Sequence, residues 1–95
     1  MFEIVLKPLA IAALDELSRF HAKAILEAME RHLRNEPDRP SKAKIKRLRG
    51  KQQAAYRLRV GDYRVFYDLA PGRVTVIAIL HKSQTFEFYN PEESP

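Results

Sequence analysis

The sequence predicts an α+β domain in which two antiparallel helices pack on a twisted antiparallel sheet of four to five strands, in the order βααβββ(β). Three observations support this prediction. The chain has 95 residues, enough for one domain. Apolar residues recur every three or four positions in its first third, and every second position after Ala54. Residues 1–95 are therefore taken as a single domain, with a flexible acidic tail at about 90–95.

The first third of the chain predicts a strand followed by two helices. Residues 2–6 are short, β-branched and aromatic, as is typical of a strand. The apolar stripe then predicts helices over residues 8–17 and 19–34, the first opened by a proline and the second capped by Ser18. Prolines and turn-forming residues in 35–40 end the second helix.

Residues 56–60 and 63–69 alternate in hydrophobicity on either side of Gly61-Asp62, which predicts a β-hairpin. Glycine at the first central position indicates a type II′ turn, in which Val60 pairs with Tyr63. The same register places Arg59 opposite Arg64, with Arg57 on the same face. Like charges directly opposite each other destabilise a sheet by about 0.5 kcal/mol, so the pair indicates a bound counter-charge such as phosphate.

An alternative for these arginines is that they extend into solvent, or pair with Asp68, Glu87 or the acidic tail. Pro71-Gly72 predicts the next turn, and residues 74–80 form a nearly continuous apolar run that is typical of a central strand. Residues 85–89 are interpreted as a short last strand or an extended tail.

His81 and Lys82 follow that central strand. The imidazole can transfer a proton near neutral pH, and the ammonium can stabilise a developing charge. Whether His81 shares the arginine side of the sheet depends on the length of the Pro-Gly loop, which the sequence leaves open. Tyr89 lies near a predicted strand end, where an exposed ring can stack on a base.

Positive charge is concentrated in the middle of the chain. Residues 39–64 contain ten basic residues and one acidic residue, a net +9, so the rest of the chain carries −4 of the total +5. This asymmetry indicates a polyanionic ligand, with nucleic acid the first candidate. The basic residues expected to contact RNA backbone are Lys42, Lys44, Lys46, Arg47, Arg49 and Lys51.

Composition excludes several other classes. The chain has no cysteine, which rules out disulfides and thiolate metal sites and suits a cytoplasmic protein. The apolar run at 9–14 is too short to span a membrane. His21 and His32 lack the spacing of a metal site and are expected on the surface. No motif for a nucleotide or other cofactor is present, so neither a metal nor a cofactor is expected.

Three segments resemble the RelE/ParE toxin superfamily of bacterial toxin–antitoxin modules. They are Lys-Arg-Leu-Arg-Gly at 46–50, Tyr-Arg-Leu-Arg-Val-Gly-Asp-Tyr-Arg-Val-Phe-Tyr at 56–67, and Val-Ile-Ala-Ile-Leu-His-Lys at 76–82. Resemblance to the RelE branch implies an mRNA interferase, a ribosome-dependent and metal-independent endonuclease that cuts mRNA in the decoding site. The ribose 2′-OH would attack the neighbouring phosphate, basic side chains would stabilise the phosphorane, and the leaving 5′ oxygen would be protonated.

The resemblance also implies roles for individual residues. Arg57 and Arg59 match the basic residues of the family's Tyr-basic-x-basic strand, and Arg64 matches an arginine that binds the scissile phosphate. His81-Lys82 matches a frequent His-Arg or Gly-Lys pair, to which proton transfer or charge neutralisation is assigned.

Tyr89 matches a C-terminal tyrosine that orients substrate or takes part in proton transfer. Two positions depart from the family's pattern. Lys82 stands where many relatives have arginine, and Ser83 stands where RelE itself places a catalytic arginine.

The implied partners are mRNA in the ribosomal decoding site and a cognate antitoxin, acidic and partly disordered, encoded by a neighbouring gene. An extended antitoxin segment would cover the basic face or move the C-terminal element. Two other functions fit the same scaffold: a ParE-like toxin that inhibits gyrase, and a catalytically inactive RNA-binding relative.

Overall fold

The computed structural model describes residues 1–41, 44–49 and 53–88. Neither helix in this part of the chain could span a membrane. The elements are β1 (Glu3–Leu6), α1 (Pro8–Glu16), α2 (Arg19–Leu33), β2 (Ile45–Arg47), β3 (Tyr56–Val60), β4 (Tyr63–Ala70), β5 (Arg73–His81) and two 3₁₀ turns (Lys82–Gln84 and Phe86–Phe88).

The two helices lie within one residue of their predicted bounds. The side chain of Ser18 caps α2 by accepting a hydrogen bond from the backbone N–H of His21 at 3.3 Å. On α2, Ile25, Met29 and Leu33 are buried and spaced four residues apart, so they form one face of the helix. That face packs against the sheet and continues the core of the domain.

The five strands form one twisted sheet in the order β1-β5-β4-β3-β2. Its three neighbouring pairs from β2 to β5 are antiparallel, as predicted, whereas β1 pairs with β5 in parallel. The predicted fold class is confirmed with this correction, since the sheet is mixed. Two helices separate β1 from the other strands, so no hairpin turn dictates its direction.

The chain after β5 differs from the predicted strand or extended tail. Thr85 lies between the two 3₁₀ turns, Lys82–Gln84 and Phe86–Phe88. The hydroxyl of Thr85 donates to the carbonyl of Lys82 at 3.1 Å, and its carbonyl accepts from the N–H of Phe88 at 2.9 Å. These local bonds satisfy backbone groups that a strand would present to a neighbouring strand. Tyr89 and the acidic tail lie outside the described residues.

The two faces of the sheet are chemically different. The face that carries Leu58, Val65 and Tyr67 packs against the helices and is called the helix face. The opposite face has a smaller apolar cluster that includes Phe66 and Phe88, whose rings are stacked with centroids 4.4 Å apart. Successive strand residues therefore alternate between the main core and a second surface.

Tyr67 links the sheet to the loop after α2. Its side chain is fully buried, and its hydroxyl donates to the carbonyl of Pro37 at 2.6 Å. Burial raises the pKa of the phenol well above its usual range. The loop that leads toward β2 is thus anchored to the centre of β4.

Replacing Tyr67 by phenylalanine is expected to lower the free energy of unfolding by about 1–3 kcal/mol, because the buried Pro37 carbonyl loses its partner. Urea denaturation measures the change. Tyr56→Phe is the matched control, since the Tyr56 hydroxyl accepts only a 3.3 Å bond from the exposed Arg47. Equal losses in the two variants would contradict the importance of the Pro37 bond.

Candidate nucleic-acid interface

The turn between β3 and β4 sets the register of the candidate site. Gly61 has a positive φ of 57°, and no other residue in the described part of the chain except Gly72 has a positive φ. A positive φ at only the first central position is the geometry of a type II′ turn. Val60 pairs with Tyr63, and Arg59 directly faces Arg64, so the predicted register is confirmed.

Arg64 is almost completely buried, with 2% of its surface exposed. Its Nη1 atom donates to the carbonyl oxygens of Gly61 and Tyr63, both at 2.9 Å. The guanidinium therefore bends back over the β3–β4 turn, where these two hydrogen bonds hold it. Arg59, opposite it, is exposed.

Arg57 is also buried, with 8% of its surface exposed. Its Nη1 donates to the carbonyl of Lys44 at 3.1 Å, and its Nε has no hydrogen-bond partner among the described residues. Across the ladder it faces Lys46. Strand alternation thus places Lys46, Arg57, Arg59 and Arg64 on the face opposite the helices, which we call the arginine face.

The arginine face is well suited to bind phosphate. A cluster of guanidinium groups repels itself, and a buried N–H without a partner is costly. Phosphate oxygens accept from guanidinium groups in bidentate fashion, and arginine keeps its charge at any working pH. An anion on this face would offset the repulsion between the guanidinium groups.

His81 lies on the other side of the sheet. Pro71 and Gly72 form a two-residue turn, and continuing that pairing would place His81 on the arginine face. A β-bulge at Ile77, opposite the step between Phe66 and Tyr67, leaves Ile77 without a partner in the ladder and shifts the register by one residue. His81 therefore faces Tyr63 on the helix face, which answers the question that the sequence left open.

The imidazole of His81 has a local structural role. Its Nδ1 accepts a hydrogen bond from the backbone N–H of Ser83 at 3.2 Å and lies 2.8 Å from the Ser83 hydroxyl. Its ring packs edge-on against Tyr63, with centroids 5.5 Å apart. His81 thus caps the first 3₁₀ turn, and its partner Ser83 occupies a position where the superfamily resemblance suggested an arginine.

Lys82 lies beside the β3–β4 turn. Its backbone N–H donates to the carbonyl of Asp62 at 2.7 Å, and its Nζ is 3.4 Å from the Asp62 carboxylate. This is the turn that also holds the guanidinium of Arg64. From the sequence, Asp62 is predicted only to form part of the hairpin turn. Its approach to Lys82 depends on the register of β5, which the bulge shifts by one residue, so no local sequence signal reports it.

The basic segment at 42–51 between α2 and β3, of which residues 44–49 are described, is divided between the two faces of the sheet. Its residues 45–47 form the edge strand β2, with Lys46 on the arginine face. Arg47 lies on the other side, where its guanidinium is 5.4 Å from the centre of the Tyr56 ring. Lys44 and Arg49 are exposed. The remaining predicted contacts, Lys42, Lys51 and Tyr89, lie outside the described residues.

Comparison with known proteins gives one family and several structures. Residues 4–86 match the model of the ParE toxin of the type II toxin–antitoxin system parDE. No curated protein sequence matches the chain.

Solved structures show the same fold. The RelE–RelB complex from Pyrococcus horikoshii is 24% identical over 87% of this chain and 97% of that chain, with a TM-score of 0.70. The RelBE2 complex from Mycobacterium tuberculosis is 23% identical over 84% and 96%, with a TM-score of 0.72. The YoeB–YefM complex from Staphylococcus aureus is 17% identical over 82% and 93%, with a TM-score of 0.64.

Replacing Arg64 and replacing Arg59 should change the free energy of unfolding by different amounts. Arg64→Ala is expected to lower the free energy of unfolding by about 2 kcal/mol, because buried hydrogen bonds to the turn are lost. Arg59→Ala is expected to change it by less than about 0.5 kcal/mol, since the side chain is exposed. Urea midpoints measure both, and a larger loss for Arg59→Ala would contradict the assigned burial.

Proposed function

The chain belongs to the ParE toxin family of type II toxin–antitoxin systems, and from that premise we propose that this toxin stops translation by cutting mRNA. The cut is made in the decoding site of the ribosome, as the sequence resemblance to the RelE branch implies. The observation that carries the proposal is the direct opposition of Arg59 and Arg64 on the arginine face.

The arginine face supports binding of the scissile phosphate. Arg59 is exposed and can reach a ligand, while Arg64 is held at the turn by two carbonyl oxygens. Arg57 extends the positive surface along β3, so three guanidinium groups from two strands share one face. Donors held in place before the reaction stabilise developing charge without reorganisation.

In the proposed reaction, the ribose 2′-OH loses its proton and its oxygen forms a bond to phosphorus. The bond from phosphorus to the 5′ oxygen breaks, and that oxygen takes up a proton, so the products are a cyclic phosphate and a 5′-OH. Arg57, Arg59 and Arg64 neutralise the charge of the phosphorane, with Lys82 as a further cation beside the β3–β4 turn.

Proton transfer is assigned to Tyr89 as a proposal from the sequence resemblance. His81 takes no part in it, because its side chain lies on the helix face and its Nδ1 is engaged by Ser83. We assign His81 instead to holding the turn that positions Lys82. Lys44, Lys46, Arg47 and Arg49, together with Lys42 and Lys51, are proposed to bind RNA backbone in a sequence-independent way.

The proposed partner is an acidic antitoxin from a neighbouring gene. The similar structures were solved as complexes of RelE with RelB and of YoeB with YefM. The net charge of +5 favours association with an acidic partner, since opposite charge speeds encounter. Covering the arginine face would block phosphate binding and so neutralise the toxin. mRNA and ribosomes place this activity in the cytoplasm.

Inhibition of gyrase is the second candidate function, and the match to the ParE family model favours it. The two candidates differ in what the arginine face must do. A nuclease requires it to contact a reacting phosphate, whereas a gyrase inhibitor can act through a different surface. A catalytically inactive RNA-binding protein would keep the charge of the face but produce no cut.

Arg59→Ala is expected to reduce the rate of mRNA cleavage on programmed ribosomes by roughly 100-fold, because one cationic donor beside the reacting phosphate is removed. Arg59 is the residue of choice because its replacement should not disturb folding. Arg19→Ala on α2 is the charge-matched control and should leave the rate unchanged. Primer extension across the codon in the decoding site measures the cut.

Three other outcomes separate the alternatives. Equal cleavage by the wild type and Arg59→Ala would contradict the assignment of the phosphate site. Inhibition of DNA supercoiling with intact mRNA would support the gyrase alternative. Binding of RNA without any cut in either protein would support the inactive RNA-binding relative.

A further inference from the structure

A second basic site lies at the C-terminal end of α2, away from the arginine face. Arg31, His32 and Arg39 line a groove of about 260 Å³ there. Lys44, from the segment before β2, is close enough for its charge to act on the imidazole of His32. Basic side chains from separate parts of the chain thus converge on one groove.

The position of Lys44 is fixed by hydrogen bonds on two sides. The hydroxyl of Ser41 accepts from the backbone N–H groups of Lys44 and Ile45, both at 3.2 Å. The carbonyl of Lys44 accepts from the backbone N–H of Arg59 at 2.8 Å and from Nη1 of Arg57 at 3.1 Å. Lys44 therefore connects the groove at α2 directly to the strand that carries the arginine face.

A second groove, of about 660 Å³, continues from the first around the edge of the sheet. Lys46, Arg47 and Arg57 contribute its basic lining. The two grooves share lining residues at the edge strand, so they meet there. The shared residues are Pro40, Ser41 and Ile45. A continuous basic path therefore leads from Arg57 over β2 to Arg31.

Two positive charges act on the imidazole of His32 in the groove at α2. Burial lowers the pKa of His32, and the charges of Lys44 and Arg31 lower it further. Glu36 also lines this groove, where it forms an ion pair with Arg39 at 2.7 Å, so these two charges offset each other. An anion that enters the groove would gain from Arg31 and Lys44 without displacing that pair.

We propose that this path binds the sugar–phosphate backbone of an RNA strand that continues beyond the arginine face to the end of α2. A polynucleotide fits the observations because its phosphates repeat along the strand, as the cations do along the two grooves. Arg47 also lies over the Tyr56 ring, and a base can stack on an exposed guanidinium plane. The choice of RNA as the ligand rests on the proposed function.

The test measures binding, so cleavage is not required. The probe is a single-stranded 2′-O-methyl oligoribonucleotide of about 12 nucleotides, within the usual size of single-strand sites. It lacks the attacking hydroxyl and stays intact. Fluorescence anisotropy gives its Kd over a range of salt concentrations for the wild type, for Arg31→Gln/Lys44→Gln, and for the control Arg19→Gln/Lys23→Gln. All four positions are exposed, so each variant should fold.

Loss of two phosphate contacts should reduce the slope of log K against log salt concentration by about 1.4. It should weaken binding by roughly 10- to 30-fold at 0.1 M salt. The control pair should change neither quantity. NMR titration of the wild type should also show a higher pKa for His32 with the oligonucleotide bound, because phosphate adds negative charge beside Arg31, Lys44, Glu36 and Arg39.

Equal losses in the two double variants, or no loss in either, would overturn the proposal. So would weaker binding of the acidic antitoxin with unchanged binding of RNA, which would assign the groove to the protein partner. These results are independent of the cleavage assay. If no cut is found but Arg31→Gln/Lys44→Gln still weakens RNA binding, the nuclease function fails and the RNA path stands.

Discussion

The direct opposition of Arg59 and Arg64 is the constraint on which the rest of the site depends. A two-residue turn leaves no freedom in the register, so the two positive charges face each other across the ladder. The turn also reduces the repulsion between these two charges, because the carbonyl oxygens of Gly61 and Tyr63 accept hydrogen bonds from the Arg64 guanidinium. One arginine is thereby held in the sheet, and the other is left exposed for a ligand.

The β-bulge in β5 places the side chain of His81 on the helix face, away from the arginines. Before the bulge, β5 follows the register of its turn; beyond it, Leu80 rather than Ile79 faces Arg64. Phe66 and Leu80 lie on the arginine face beside the guanidinium groups, and such apolar neighbours lower the local dielectric and strengthen attraction for an anion. The aromatic and imidazole rings of His21, Tyr63 and His81 gather on the helix side instead.

Features set by local sequence were predicted well. The Ser18 cap, the helix bounds and the Gly61 turn depend on residues within a few positions of each other, so their chemistry is visible in the chain. The bulge was not predictable, because the apolar run 74–80 shows no change of period at Ile77. The parallel direction of β1 depends on how the helices return the chain to the sheet, which no short motif reports.

The groove at α2 was missed for a related reason. His32 and Lys44 are separated by a loop, and in the sequence His32 looked like an isolated surface residue. The signal is tertiary: Tyr67 anchors that loop at Pro37, and Ser41 then positions Lys44 beside the helix. A charge cluster that is assembled from distant segments can be recognised only when the fold is known.

The central claim is that the exposed Arg59 binds the reacting phosphate of RNA, with the charge of the buried Arg64 directly opposite it. NMR of the guanidinium groups in protein containing ¹⁵N-labelled arginine, titrated with a 2′-O-methyl dinucleotide, tests it most directly. The account predicts that the side-chain signals of Arg59 and Arg64 shift together and saturably, while that of Arg19 on α2 does not move. Shifts confined to arginines away from the arginine face, with Arg59 and Arg64 unchanged at saturation, would contradict it.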